Sequence, residues 1–374
     1  MKGLTLLVVY TAVLLVCTGC STTQHSYRFF TENDSYHPVE RPDANYTSGI
    51  LFMASPAKKY GKGDNKSIDR LNPFQKDPYS YYPITIEYGL GQTFYTPDDI
   101  AVDSLDDIDR NDRLLSEDRP YAGLLFLQGA IHNHYSNGYD RQQDMRRSVF
   151  GKIGLTGDGS FSEEMHTGVH KSRNLIVPVG WGMQVGPELV FSIGAEQRNR
   201  LMSWGEEGGF GADVVSNLKG SLGSIYTAAE GGLTLRAGFN LPRRVQENSI
   251  TEQIEVFDPD IPVEKGNTDN PAPRPTWSEK FSANSWHFYV FVGHQTRLVL
   301  RDFAIDGRLF NDDIHTVQRE PVVNEFQYGG QLRIATNWVI QALFAHRDKQ
   351  FKSQRKEHSF GQYMIMYQRP FEIY

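Results

Sequence analysis

Cysteine is nearly absent. The 374 residues hold 2, Cys17 and Cys20, and both fall within the first twenty positions. Residues 21–374 can therefore form no disulfide, offer no thiol nucleophile and give no sulfur to a metal. Long apolar runs are missing as well. After Leu4–Val16 nothing approaches the roughly 20 consecutive apolar residues that a membrane-crossing helix needs, which excludes a helical membrane protein. A basic excess is lacking: 38 Lys+Arg against 45 Asp+Glu leave a formal net charge of -7. With no nucleic-acid motif either, no nucleic-acid partner is expected. Two hydrolase signatures are also absent. "HTGVH" at His166–His170 lacks the Glu that a zinc hydrolase places beside its first His. "GDGSF" at Gly157–Phe161 lacks the strand–G-x-S-x-G–helix setting of a nucleophilic serine.

What is present begins with an export signal. Lys2 supplies a positive start, Leu4–Val16 is an apolar run too short to span a bilayer, and "VCTGCS" ends it. Cys20 stands where a bacterial lipoprotein carries its modified cysteine, although Cys17 occupies a position where Leu is usual. Cleavage by an ordinary signal peptidase is the alternative. Residues 1–19 are read as signal peptide and 20–374 as one domain.

An exported domain without disulfides must be held by its own sheet or core. Aromatics make up 12% of the chain, Gly reaches 34, and period-two alternation recurs. In "PITIEYGLGQTF", Ile84, Ile86, Tyr88 and Leu90 oppose Thr85, Glu87, Gly89 and Gly91. In "GLTLRAGFN", Leu233, Leu235 and Phe239 oppose Thr234, Arg236 and Asn240. A sandwich core penalises such an inward Glu or Arg by several kcal/mol when unpaired, on the order of 2–7 for a neutral polar group alone. A polar barrel lumen accepts it.

The pattern predicts strands at 25–32, 47–55, 82–95, 121–134, 144–157, 184–203, 227–240, 285–293, 297–305, 324–335, 338–347 and 359–374. The expected fold is all-β: a transmembrane antiparallel barrel of about 12 strands with long extracellular loops, in the bacterial outer membrane. With both termini periplasmic, the long connections 33–46, 96–120, 158–183, 241–284, 306–323 and 348–358 lie outside. "SNGYD", "GHQT" at Gly293–Thr296 and "TNW" serve as short inner turns. Trp204–Thr227, long, Gly-rich and on the inner side, breaks the pattern, and reads as an extension of the flanking strands or as a hidden hairpin. A soluble β-sandwich lipoprotein remains as a rival architecture.

Polar groups cluster where strands end. Asn33 and Asp34 follow the first predicted strand, and Thr47 opens the second. His166 and His170 share one face if Glu163–Arg173 is helical. From spacing alone, the His pair reads as structural, metal-binding or general base, and "END" as ordinary turn chemistry. "DDIAVDSLDDIDRNDR" from Asp98 to Arg113 places Asp107, Asp109 and Asn111 like half a calcium loop without its Gly, and reads as a solvated acidic loop. Arg347, Lys349, Lys352, Arg355 and Lys356 form a basic loop that would attract lipid phosphates or simply be solvated.

Three segments carry a family resemblance: "FFTENDSYHPVERPDANYTSG" at Phe29–Gly49, "EDRPYAGLLF" at Glu117–Phe126 and "SEEMHTGVHKSRN" at Ser162–Asn174. Together they resemble the outer-membrane lipid A 3'-O-deacylases. That resemblance implies calcium-dependent hydrolysis of an ester-linked acyl chain of lipid A. Carried over by motif, it places Asn33, Asp34, Thr47 and His170 in the catalytic site, His170 as general base and Asp34 with Asn33 on a Ca²⁺ ion. It also matches Gly180–Trp181 and Gln184. This chain departs by having His166 where the family often has Gln, which would alter how substrate or water is oriented. It also has no Lys-Arg pair between Thr96 and Asp118, Arg119 being the nearest cation. The expected partners are lipid A or lipopolysaccharide and other outer-membrane lipids, with the protein a monomer. An outer-membrane esterase or phospholipase acting on another lipid, and a non-enzymatic barrel, are the alternatives.

Overall fold

Alternation of polar and apolar residues makes each strand two-faced, and such strands bury every backbone group only by closing into a ring. The computed structural model describes residues 25–38, 45–56, 85–109, 114–136, 144–205, 209–242, 286–334 and 338–368. Its strands are β1 His25–Asn33, β2 Asn45–Pro56, β3 Thr85–Thr96, β4 Ala122–Ser136, β5 Asp144–Thr156 and β6 Leu189–Gly205. They continue as β7 Phe210–Gly223, β8 Tyr226–Phe239, β9 His287–Asp302, β10 Val322–Ile334, β11 Trp338–Arg347 and β12 His358–Gln368. Each pairs with the next, and β12 pairs antiparallel with β1, so the sheet is a closed twelve-stranded barrel. The signal segment and Cys20 lie outside the described residues.

The two faces follow the sequence. Leu127, Ile153, Phe191, Ile193, Leu218 and Leu298 stand exposed on the outer wall, as a lipid-facing surface requires. The lumen is crossed by buried ion pairs. Glu325 receives a two-pronged guanidinium from Arg297 (2.9 and 3.0 Å) and a further bond from Arg347 (2.6 Å). Asp213 accepts from Arg200 and Arg236, each at 2.6 Å. Arg146 reaches Glu196 at 3.0 Å, and Arg28 pairs with Glu87. Arg28, Arg297 and Arg347 are at most 1% exposed, which a wide water-filled pore would not allow. Toward one rim the filling turns apolar. The short helix α2, Phe303–Asp306, buries Phe303, Ala304 and Ile305, with Phe303 edge-on to Tyr95 at 6.0 Å.

Two strand predictions fail, and their errors cancel in the count. Trp204–Thr227 is not a loop: it contains all of β7. Its outward residues Phe210, Leu218 and Leu222 alternate with inward Asp213 and Lys219. Glycines and luminal charges disguised that pattern. Conversely, 285–293 and 297–305 are one strand, β9, and "GHQT" lies in its middle. There Gln295 faces Glu230 (2.5 Å), so a polar patch that reads as a turn is luminal wall. Residues 184–188 precede β6 rather than belonging to it. The proposed final strand ends at Gln368, with 369–374 outside the described residues.

These corrections move a loop. β7 and β8 are joined by Ser224 and Ile225 alone, at the rim where β1, β3 and β5 end. The connection from β8 to β9, which includes 241–284, therefore leaves from and returns to the opposite rim, where the described chain starts and ends. Residues 243–285 themselves lie outside the described residues. Arg347 likewise belongs to the lumen and not to the exposed basic loop, where Lys349, Lys352, Arg355 and Lys356 remain.

Candidate active site

Register carries the candidate residues toward one another. Asn33 of β1 pairs with Ser48 of β2, and Ser48 pairs with Phe94 of β3. Strands lie 4.7–4.9 Å apart, so the Cα atoms of Asn33 and Phe94 are about 10 Å apart along one row. Thr47 sits at a register shift in β2 between Tyr46 and Ser48, a bulge of the kind that re-aims side chains at a barrel rim; its own side chain lies outside the described residues.

This row faces outward. Phe94 alternates with Tyr95, which points into the lumen beneath Arg119. Yet Phe94 is buried, because the connection after β5 folds back over the outer wall. It forms helix α1, Ser162–Ser172, and then a 3-10 turn, Gly180–Met183. The next residue in the row is Gly123, paired with Phe94. A Cβ there would stand 2.2 Å from the Ser160 hydroxyl and 2.3 Å from that of Ser162, so only glycine lets the start of α1 close on the wall. Gln92, two residues before Phe94, fixes the same segment by donating to the Ser160 carbonyl at 2.6 Å.

The two histidines of α1 are buried in this interface, stacked edge to face with ring centroids 4.3 Å apart. His166 packs on Phe94 at 5.1 Å, and its Nδ1 accepts a hydrogen bond from the Trp181 indole at 3.3 Å. Trp181 is braced by Tyr121 (5.0 Å), and Gly180 makes room for that tyrosine, since a Cβ would lie 2.4 Å from its ring. The "PYAG" and "GW" motifs are thus two halves of one support. Burial, and then the neighbouring His170, push the His166 pKa down to about 3, so its imidazole is neutral. His170 Nδ1 lies 2.6 Å from the Ile176 carbonyl, which can only accept. That bond places the proton on Nδ1 and leaves Nε2 of His170 as the basic nitrogen.

On the other side of Asn33 the chain turns over β12. Asn33 caps the 3-10 turn Asp34–Tyr36, its amide oxygen accepting from the Ser35 backbone at 2.8 Å and from the Ser35 hydroxyl. Asp34 is buried, and Oδ1 accepts from Ser35 N at 2.7 Å. Tyr36 packs tilted against Tyr363 at 5.3 Å, and His37 lies edge-on to Phe344 at 6.0 Å. Asn33 and Ser48 are therefore the wall between two flaps, residues 34–38 on one side and α1 on the other.

A family model described as "Outer membrane protein LpxR" matches residues 4–369. The chain belongs to that family. It is the lipid A 3'-O-deacylase-like family that the three motifs resemble, and it places the protein in the bacterial outer membrane. Among solved structures, LpxR from Salmonella typhimurium superposes with TM-score 0.64 at 12% identity, covering 91% of this chain and 99% of its own. That likeness carries the fold. The beta domain of the Bordetella autotransporter BrkA (TM-score 0.40, 9% identity, 94% of this chain and 100% of that one) is a more distant barrel. So is the KdgM porin bound to oligogalacturonate (0.34, 6%, 93% and 99%). A search of curated proteins finds no match.

Within this LpxR-family barrel, some sequence-derived candidates fall together and others do not. Asn33, Asp34 and Thr47 occupy adjacent strand ends, and His166 and His170 lie under the flap that covers the same row. Arg119 lies elsewhere. It is buried in the lumen, 4.6 Å over the Tyr95 ring, and donates to Gln350 Oε1 at 3.3 Å. Gln184 donates to Asp158 at 3.0 Å and holds the flap. Among the described residues no three His, Cys, Asp or Glu side chains converge as metal ligands. The donors at the Asn33–Asp34 corner are oxygens only, a carboxylate and an amide. Such a set suits a hard cation and not zinc. Sequence reasoning missed Phe94, Gly123 and Gln92. Their alternation was visible, but nothing in it said that a loop would cover the outer wall.

Proposed function

We propose that the protein is a lipid A 3'-O-deacylase that hydrolyses the ester-linked acyl chain at the 3' position. The observation that carries this reading is the placement of the His pair on the outer, lipid-facing wall and not in the lumen. A substrate embedded in the membrane reaches that wall without entering the barrel.

In this reading His170 is the general base. Its Nε2 takes a proton from water as the water attacks the ester carbonyl carbon, and returns it to the departing sugar oxygen. His170 sits in the last turn of α1, with Nδ1 held by the Ile176 carbonyl so that the ring keeps one orientation through the step. The carboxylate of Asp34 and the amide oxygen of Asn33 would hold Ca²⁺, with Thr47 in support. When bound, the ion supplies Lewis-acid polarisation of the ester carbonyl. His166, Phe94 and Trp181 wall the base from bulk water.

Mass spectrometry of lipid A from cells with and without the protein tests the reading, repeated with His170→Ala and after calcium chelation. Loss of one ester-linked acyl chain is expected with the wild type alone. General-base removal typically costs roughly 10²–10⁴-fold in rate. An unchanged acyl pattern with folded, calcium-supplied protein rejects the activity, and a parallel phospholipid assay identifies an esterase for another lipid.

A further inference from the structure

His166 holds one nitrogen that the reaction just described does not use. The Trp181 indole can only donate, so the nitrogen that accepts from it, Nδ1, carries no proton. In a neutral imidazole the proton is then on Nε2. That Nε2 is buried and finds no protein acceptor among the described residues. A buried N–H left without a partner forfeits its hydration with nothing in return, and such groups in native folds mark strain or a function. Here the orphan donor belongs to a ring whose centroid lies 4.3 Å from that of the proposed base, tilted against Phe94 at 5.1 Å and edge-on to Trp181 at 5.9 Å.

We propose that His166 is a second catalytic residue, donating its Nε2–H to the ester carbonyl oxygen of the acyl substrate. The inference rests on the deacylase reading above. Its step balances as follows. Water oxygen bonds to the carbonyl carbon, the water proton passes to His170 Nε2, and the carbonyl electron pair moves onto the oxygen facing His166. On collapse the carbon–oxygen bond to the sugar breaks, the sugar oxygen takes the proton from His170, and a free fatty acid leaves.

A donor aimed at the attacking water would withdraw charge from the nucleophile. Aimed at the carbonyl oxygen, it strengthens as negative charge grows there, which is what lowers the barrier. The depressed pKa keeps this ring neutral, so that it does not compete with His170 for the water proton. Trp181 is a positioning residue: it selects the tautomer.

The test compares His166→Phe, His166→Gln and Trp181→Phe with His170→Ala, on detergent-solubilised lipid A. Heat-modifiable gel migration reports folding. His166→Phe keeps a flat ring without the donor, and kcat is expected to fall about 10²–10³-fold, the usual cost of one oxyanion donor, with KM within twofold. His166→Gln restores an N–H and is expected to recover most of that loss. Independently of activity, ¹⁵N spectra of histidine-labelled protein report the His166 tautomer. Nε2–H is expected in the wild type, and a mixture in Trp181→Phe. Full kcat in folded His166→Phe, equal losses in the Phe and Gln variants, or an Nδ1–H wild-type tautomer each overturns the assignment. If His166→Phe does not fold, the tautomer and the kcat of Trp181→Phe decide, unchanged values counting against it. Activity that survives in His170→Ala, or is absent from the wild type, strikes the underlying reading as well, and the pattern separates the two failures.

Discussion

His166 and His170 meet edge to face at 4.3 Å, yet each is anchored at Nδ1 in the opposite sense, one accepting from the Trp181 indole and one donating to the Ile176 carbonyl. One helical face thus presents two chemically different imidazoles. The surroundings, not the residue type, set which nitrogen of each ring carries the proton.

The flap depends on a glycine of the wall. Gly123→Ala places a methyl where the hydroxyls of Ser160 and Ser162 now sit. The barrel should assemble normally, while deacylation falls at least about tenfold because α1 is lifted from Phe94, the order expected when catalytic groups are misplaced by an ångström. Heat-modifiable migration and lipid A turnover, measured on the same preparation, check it. Normal turnover would show that seating of the flap is irrelevant.

Acid should loosen the same flap. The folded pKa of His166 lies near 3, below its ordinary 6.5, with burial as the main cause and His170 second. The released segment binds a proton below pH 6.5 and the docked one does not. Docking is therefore strongest above pH 6.5 and weakens as pH falls toward 3, by on the order of 1 kcal/mol per pH unit. Limited proteolysis within 157–188 should be faster at pH 5 than at pH 7.5, using a protease whose own rate is matched at both. In His166→Gln the difference should shrink.

Glu325 neutralises two buried arginines, Arg297 and Arg347. Glu325→Ala leaves both without that carboxylate, and the loss should be about 3–5 kcal/mol, the usual result of breaking a buried pair from one side. Urea titration of the refolded barrel in detergent measures it. A midpoint shift near zero would mean that water reaches the lumen freely.

Residues 243–285 join strand ends at the rim away from the site, and Phe239 pairs directly with Phe288. Replacing that stretch by a short Gly-Asn turn should leave deacylation within about twofold, because a tight turn suffices to join directly paired strands. A large loss of activity would place part of the connection in the reaction.

How far the sequence could be read follows from which interactions are local. Leu233, Leu235 and Phe239 against Arg236 declare their faces within one strand, so β8 was legible. β7 was not, because Ala212, Ser216 and Gly220 thin its outward face. β9 was cut in two because Gln295 resembles a turn residue until Glu230, from a neighbouring strand, accounts for it. The histidine pair was visible as an i, i+4 spacing. Its anchors at Trp181 and Ile176 were not, since they depend on how the segment after α1 returns to the wall.

Closure of the ring has a consequence for biogenesis. Asn33 pairs with Gly361, and the turn beginning at Asp34 leans on Tyr363, so the first strand's corner is shaped by a strand made almost last. A chain halted before its C-terminal segment zips shut holds α1 and its histidines but lacks the strand on which the Asp34–Tyr36 turn rests. On the deacylase reading, hydrolytic competence would then arrive only together with the seal.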